Sequence, residues 1–497
     1  MVLQIAYAAV SAIFPTKYYV HIACASLVLL VAYAFAQGRT TNRERDLHAR
    51  VVILTGAFTP LGLTLLTALA TRGAHVIAIS SYPLEHAYPS LIIPLLRTTT
   101  KNENIFAEHA DLSNPASIRE FCTRFLTGQD QRLDAIVFAH EYRGIGSIFG
   151  KSRNKAEELR ETSSLATFLM LTLLLPALLV EPAERDIRIV NIINPFYAAS
   201  TPLFPTTLSS GAQSPSLFLQ EGARALRTAV LTRHLQRVLD SLPNREVTPD
   251  SRGTKKSSGT TSAQSPKGDE KPRALELQPS NIIAVSVCPG ISRKDTIVPL
   301  LSAQQIDGTE RSLVGFFIYV LLFPILWLFT KSPTASVQSV LHVIFLPTPL
   351  KRALAHIDAT INPTQPPKGE SSTDDKQGRP RVVYEEVVKP GALYRECAVV
   401  KVDVPPLPQA PAAAEIIEAP KSGTGEHKTK EKGKSKDKGK KLPQVTFPDD
   451  GEIGGEEVGR AVWEWYEEHL KVWEARFKAA EVKGEESEGQ SGVDATS

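Results

Sequence analysis

The sequence predicts an α/β fold, a doubly wound parallel sheet with helices on both faces, and three observations point there. Short apolar runs at Val51–Thr55, Val76–Ser80, Ala135–Ala139, Ile187–Ile193 and Ile282–Val287 alternate with longer stretches of helical periodicity. The turn after the first run, "TGAFTPLG" from Thr55 to Gly62, leads from a strand into a helix through glycine. The 497 residues are 42% hydrophobic, enough for a sizeable core. A formal charge of +3 argues against a bulk nucleic-acid binder. The four cysteines, Cys24, Cys122, Cys288 and Cys397, lie far apart, so neither a disulfide framework nor a metal site is expected.

Composition divides the chain. Residues 1–49 are an anchor with a basic flank: Tyr18–Ala36 carries no formal charge and approaches the roughly 20 residues a bilayer-spanning helix needs. Arg39, Arg43, Arg45 and Arg50 follow it, whereas Lys17 alone precedes it, so the positive-inside rule places the bulk of the chain in the cytosol. The endoplasmic reticulum is the first expectation for the membrane, the mitochondrial outer membrane the second. A cleaved signal peptide is the alternative, although the flanking charges lie on the wrong side for one. Residues 50–361 form the folded domain, interrupted by a polar, low-complexity insertion at 245–276 that reads as a disordered surface loop. The segment at 313–330 is apolar enough to span a bilayer thin for its length, but a full crossing would strand the helix that follows, so an interfacial or partly inserted position is expected. Residues 362–454 read as a disordered proline- and lysine-rich linker whose "KSGTGEHKTKEKGKSKDKGKK" is a solvated arm or a polybasic contact for anionic lipid. At 455–483, Val458, Val462, Tyr466, Leu470, Trp473 and Phe477 recur at helical spacing, an amphipathic helix for the domain itself or for a protein partner. Residues 484–497 read as a disordered end.

Several segments, in order, resemble the short-chain dehydrogenase/reductase superfamily and its Rossmann-type fold. "TGAFTPLG" is similar to the family's Thr-Gly-x-x-x-Gly-x-Gly turn, with Pro60 in place of the middle glycine. "HADLS" supplies Asp111 and Leu112, "LDAIVFAHE" the next strand, "FLMLTLLLPALL" the long core helix, "IRIVNII" the strand before the catalytic serine, and "IIAVSVCPGI" the Pro289-Gly290 pair. The nearest resemblance is to a fungal family of membrane-anchored proteins of this kind. It implies a nucleotide site of Thr55, Gly56, Thr59, Pro60, Leu61, Gly62, Ser80, Ser81, Asp111, Leu112, Ala139, Pro289 and Gly290. A proline lacks the N–H that a phosphate would take but is tolerated in a helix's first turn, so weakened binding is expected. Ser80 and Ser81 carry no charge to repel a 2′-phosphate, which tilts the expectation toward NADP(H).

The family's chemistry requires a tyrosine with a lysine four residues later. None of the twelve tyrosines has one, and the aligned positions hold Glu221 and Ala225. The catalytic serine position holds Asn194, the core-helix asparagine position Ser163, and the wall beside the cofactor reads Phe138, Ala139, His140, Glu141. Two readings follow. One is a protein of this fold that has lost standard hydride-transfer chemistry and binds nucleotide or lipid as a sensor or scaffold. The other is an NADP(H)-dependent oxidoreductase for a lipid carbonyl or alcohol, with Asn194, His140 or Glu221 as substitute catalysts. Membrane lipid and a lipid-like ligand are the expected partners, and nucleic acid is not.

Overall fold

The computed structural model describes residues 19–128, 132–149, 153–182, 185–210, 216–242, 280–304, 312–349, 386–407 and 451–493. The predicted insertion at 245–276 and most of the predicted linker lie outside these residues.

Helix α1 (Tyr19–Gln37) precedes the sheet. The domain then runs β1 (Val51–Thr55), α2 (Pro60–Ala70), β2 (His75–Ser80), α3 (Ala87–Thr100), β3 (Ile105–His109), α4 (Pro115–Thr127), β4 (Ala135–Phe138), α5 (Arg153–Val180), β5 (Ile187–Ile192), α6 (Leu217–Ser241) and β6 (Ile282–Cys288). After β6 come α7 (Leu313–Phe329), α8 (Pro333–Phe345), β7 (Leu393–Arg395), β8 (Ala398–Val400) and α9 (Gly455–Val493). The sheet order is β3-β2-β1-β4-β5-β6-β7-β8, parallel through β7 and antiparallel at β8. The order reverses between β1 and β4, which opens a crevice at the carboxyl ends of those two strands.

Every residue of β1, β4, β5 and β6 is buried, as expected of central parallel strands covered on both faces. One layer of core joins α4, α5, α6 and α9 to the sheet; the other joins α2 and α8. Three differences from the sequence reading concern marginal elements. Strand β3, "IFAEH", is a half-exposed edge whose polar positions hide its alternation. Residues 386–407, expected within the disordered linker, place β7 beside β6, with Leu393 and Tyr394 buried and Gly391 N donating to Ala284 O at 2.8 Å. Helix α9 continues to Val493, ten residues past the end at 483 that the apolar stripe predicts.

Helix α9 folds back onto the domain. Val458, Val462 and Tyr466 are fully buried, and Trp473 nearly so, against α5 and α6. His234 of α6 meets α9 at Gly459, where an added Cβ would lie 2.7 Å from the ring nitrogen, and at Trp463, 5.8 Å between ring centres. Burial first, then the Arg237 charge, lowers the His234 pKa to about 4. The folded pKa is depressed below the unfolded value of about 6.5, so docking is strongest above pH 6.5 and weakens as pH falls toward 4. Tryptophan fluorescence against pH should show α9 loosening over this window, with the transition flattened in His234→Leu; identical curves would show that another group controls it.

The two apolar helices α1 and α7 lie side by side, with Tyr33 stacked on Trp327 at 4.8 Å. Their carboxyl ends are tied together: Gln37 donates to Thr330 O at 3.2 Å and accepts from Ser332 N at 3.1 Å. Both ends of α7 meet the domain, Gly315 against Leu301 O and Lys331 N on Ile291 O at 3.0 Å. Much of the remaining surface of α7 is exposed, Phe317 at 68% and Leu321 at 77%. Segment 38–50, between α1 and β1, then follows α8 down to the amino edge of the sheet, where Arg45 pairs with Asp186 at 2.6 Å and Arg50 with Asp134 at 2.8 Å. The crevice end of the sheet therefore faces the apolar helices.

Candidate functional site

The turn after β1 is built by two glycines with different tasks. Gly56 has φ +64°, and a Cβ there would lie 2.7 Å from His140 N. At Gly62 a Cβ would lie 2.0 Å from Gly56 O, so this glycine seats the first turn of α2 on the loop below it. Pro60 is the first helical residue, a position where its missing N–H costs little.

The donors at this helix end can be counted one by one. Pro60 has none. Leu61 N donates to Asp295 Oδ1 at 3.3 Å, and Gly62 N donates to Thr59 Oγ1 at 3.0 Å. Leu63 N already closes the first helical bond, to Thr59 O at 2.8 Å. Each amide that would hold a cofactor diphosphate in the first turn of α2 is thus satisfied within the chain, and Asp295 is wholly buried. In this conformation the residues do not fit that group. Burial raises the Asp295 carboxyl above the usual range, while the Leu61 N–H and the Arg143 charge oppose the rise.

The wall beyond β4 is equally committed. His140 Nε2 lies 3.0 Å from Ser163 O, which can only accept, so this nitrogen carries the proton; Nδ1 then accepts from Thr55 Oγ1 at 2.8 Å. Burial holds the ring's pKa below its usual value and keeps it neutral. Glu141 bridges two helices, accepting from Thr167 of α5 and from Thr228 of α6, the latter at 2.9 Å. Tyr142 donates to Gly290 O at 2.8 Å, and burial raises its phenol above the ordinary range. Of the remaining predicted nucleotide contacts, Asp111 accepts from Ser113 N at 2.9 Å, Leu112, Ala139 and Pro289 are buried, Ser80 donates to Tyr82 O at 2.9 Å, and Ser81 is exposed.

On α6, Glu221 is wholly buried at the predicted tyrosine position. Its carboxylate accepts from Gly146 N at 2.9 Å and pairs with Arg160 at 3.0 Å and Arg224 at 2.8 Å. Ala225 is buried one turn on. Asn194 donates to Glu221 O at 3.1 Å and accepts from Phe196 N at 3.0 Å, so both ends of its amide are used. The structure thus brings Asn194 and Glu221 together, and separately His140, Thr55 and Ser163. Sequence reasoning missed Asp295, Arg160, Arg224, Thr167 and Thr228. Asp295 had a visible signal, an acid five residues beyond Gly290, while the arginines and threonines look like ordinary helix residues until the fold buries them.

No protein-family model matches the chain. It is 28% identical over 322 residues to a protein named as an uncharacterised oxidoreductase of Saccharomyces cerevisiae, covering 63% of this chain and 72% of that one. A protein of the same description from Schizosaccharomyces pombe is 25% identical over 321 residues, 64% of this chain and 76% of that one. Dehydrogenase/reductase SDR family member 13 of Homo sapiens is 30% identical over 150 residues, 30% of this chain and 38% of that protein. With a parallel sheet whose order reverses between β1 and β4 and a glycine turn at that reversal, the chain is similar in fold and sequence to the short-chain dehydrogenase/reductase superfamily.

Proposed function

We propose that this is a membrane-anchored protein of the short-chain dehydrogenase fold that does not run the tyrosine–lysine proton transfer and acts as a nucleotide- or lipid-binding sensor or scaffold. One observation carries the reading: the group at the proton-donor position, Glu221, is consumed by two arginines and a backbone amide. Both oxygens of that carboxylate are already engaged within the chain, and Ala225 offers no charge in place of lysine. The anchor is α1, and α7 lies at the bilayer interface with its apolar surface toward lipid. An apolar segment beside the crevice favours a lipid-like ligand over a polar one.

The second reading, an NADP(H)-dependent oxidoreductase for a lipid carbonyl or alcohol, draws on the intact strand–glycine–helix turn at Thr55, Gly56 and Gly62. The two are separated by supplying the full chain in detergent with NADPH or NADH and a panel of long-chain ketones and sterols. No substrate-dependent cofactor oxidation is expected. Turnover that disappears in His140→Ala, Asn194→Ala or Glu221→Ala would establish the second reading and name its catalyst.

A further inference from the structure

The disagreement at the amino end of α2 has a specific form. The Leu61 N–H points at the place where an anion is best stabilised, by the free amides and the dipole of the helix. A carboxylate of the same chain is there. Asp295 Oδ1 accepts from Leu61 N at 3.3 Å, and its other oxygen accepts from Ser292 Oγ at 3.2 Å. The acid sits in a single π-helical turn, Arg293–Ile297, which leads through a short helical turn, Val298–Leu301, toward α7.

That segment is braced on both sides. Tyr142 donates to Gly290 O at 2.8 Å, and Thr296 Oγ1 accepts from Ser292 N at 3.1 Å. From the far side, Arg293 N donates to Lys331 O at 3.2 Å and Lys331 N to Ile291 O at 3.0 Å. Asp295 and Thr296 are wholly buried, so this is a packed element and not a surface loop resting by chance on the helix.

We infer that Asp295 is the resident anion of the phosphate subsite, so that a pyridine dinucleotide binds only by displacing it. The inference rests on reading the β1–α2 turn as the nucleotide site. It adds a specificity-determining residue, one whose side chain competes with the ligand's diphosphate for Leu61 N–H. Where a competing state holds nine-tenths or more of the population, apparent affinity falls roughly tenfold or more.

The test is calorimetric titration of the full chain in detergent with NADPH, NADH and inorganic pyrophosphate, comparing the unaltered protein with Asp295→Ala, Asp295→Asn and Ser292→Ala. Asp295→Ala frees the amide and removes the charge, and should tighten NADPH binding by roughly 10–100-fold. Asp295→Asn keeps a bond to Leu61 N but loses the charge, and should give a smaller gain; pyrophosphate should follow the same order. Ser292→Ala loosens the acid without altering buried charge, so it reports even where Asp295→Ala fails to fold. Folded variants that bind no tighter than the unaltered protein would overturn the inference, as would tight binding by the unaltered protein. Tightened binding without turnover supports this inference and the proposed function together. Tightened binding with carbonyl reduction refutes the proposed function alone, and neither gain nor turnover refutes this inference alone.

Discussion

Glu221→Gln is expected to lower the stability of the domain by about 3–5 kcal/mol, the usual cost of breaking a buried ion pair and leaving its partners charged. The substitution keeps the shape and can still accept from Gly146 N. It cannot accept from both arginines, because one end of the amide is a donor facing a donor, and Arg160 and Arg224 are both buried. The loss should appear as a fall of roughly 10 °C in the unfolding midpoint. The same measurement separates two roles for this position. A group kept for proton transfer could be neutralised with little effect on stability, whereas a staple holding α5, α6 and the loop at Gly146 cannot. A fall worth less than about 1 kcal/mol would show that the cluster is not what holds these elements together.

Tyr466→Ala should release α9 from the domain, at a cost of about 3–5 kcal/mol for a fully buried aromatic. The ring is stacked on Phe168 at 5.1 Å, and its hydroxyl pairs with the buried Ser164 Oγ at 2.8 Å. Removing it opens a cavity and also leaves that serine without its partner, a further penalty of about 1 kcal/mol or more. Tyr466→Phe tests the second part alone and should cost about 1 kcal/mol. The effect should be largest at α9 itself, which packs on α5 and α6 at the outside of the core layer, so a local readout is more telling than global melting. Hydrogen exchange of the amides of 458–473 and protease cleavage ahead of α9 should both accelerate in the alanine variant and scarcely change in the phenylalanine one. Unchanged protection in Tyr466→Ala would place the anchoring of α9 elsewhere, in the Arg119–Glu474 pair or in Arg237 on Gly455 O at 2.6 Å.

The sequence by itself determined the class of fold and where its crevice lies. Five of the strands announce themselves because central parallel strands, buried on both faces, are mostly apolar, as Val51–Thr55 and Ile282–Cys288 are. The turn from Thr55 to Gly62 was legible for the same kind of reason: glycine takes φ +64° at Gly56 without strain and leaves room there for His140 N, and at Gly62 for Gly56 O. The stripe Val458, Val462, Tyr466 and Trp473 was legible as well, because helical periodicity survives whatever it packs against.

Only the tertiary structure decided what that stripe packs against, that β7 and β8 complete the sheet from within a proline-rich stretch, and what each polar residue at the crevice does. The physical reason is that a polar side chain has no role until its partner is placed. Glu221, Asp295 and His140 have the residue types of acids and bases, yet Arg160, Leu61 N–H and Thr55 reach them across 61, 234 and 85 residues of chain. Periodicity reports burial along one element, whereas hydrogen bonds and ion pairs form between elements, and their geometry exists only once the sheet order has brought β1, β4, α6 and the segment after β6 to one place.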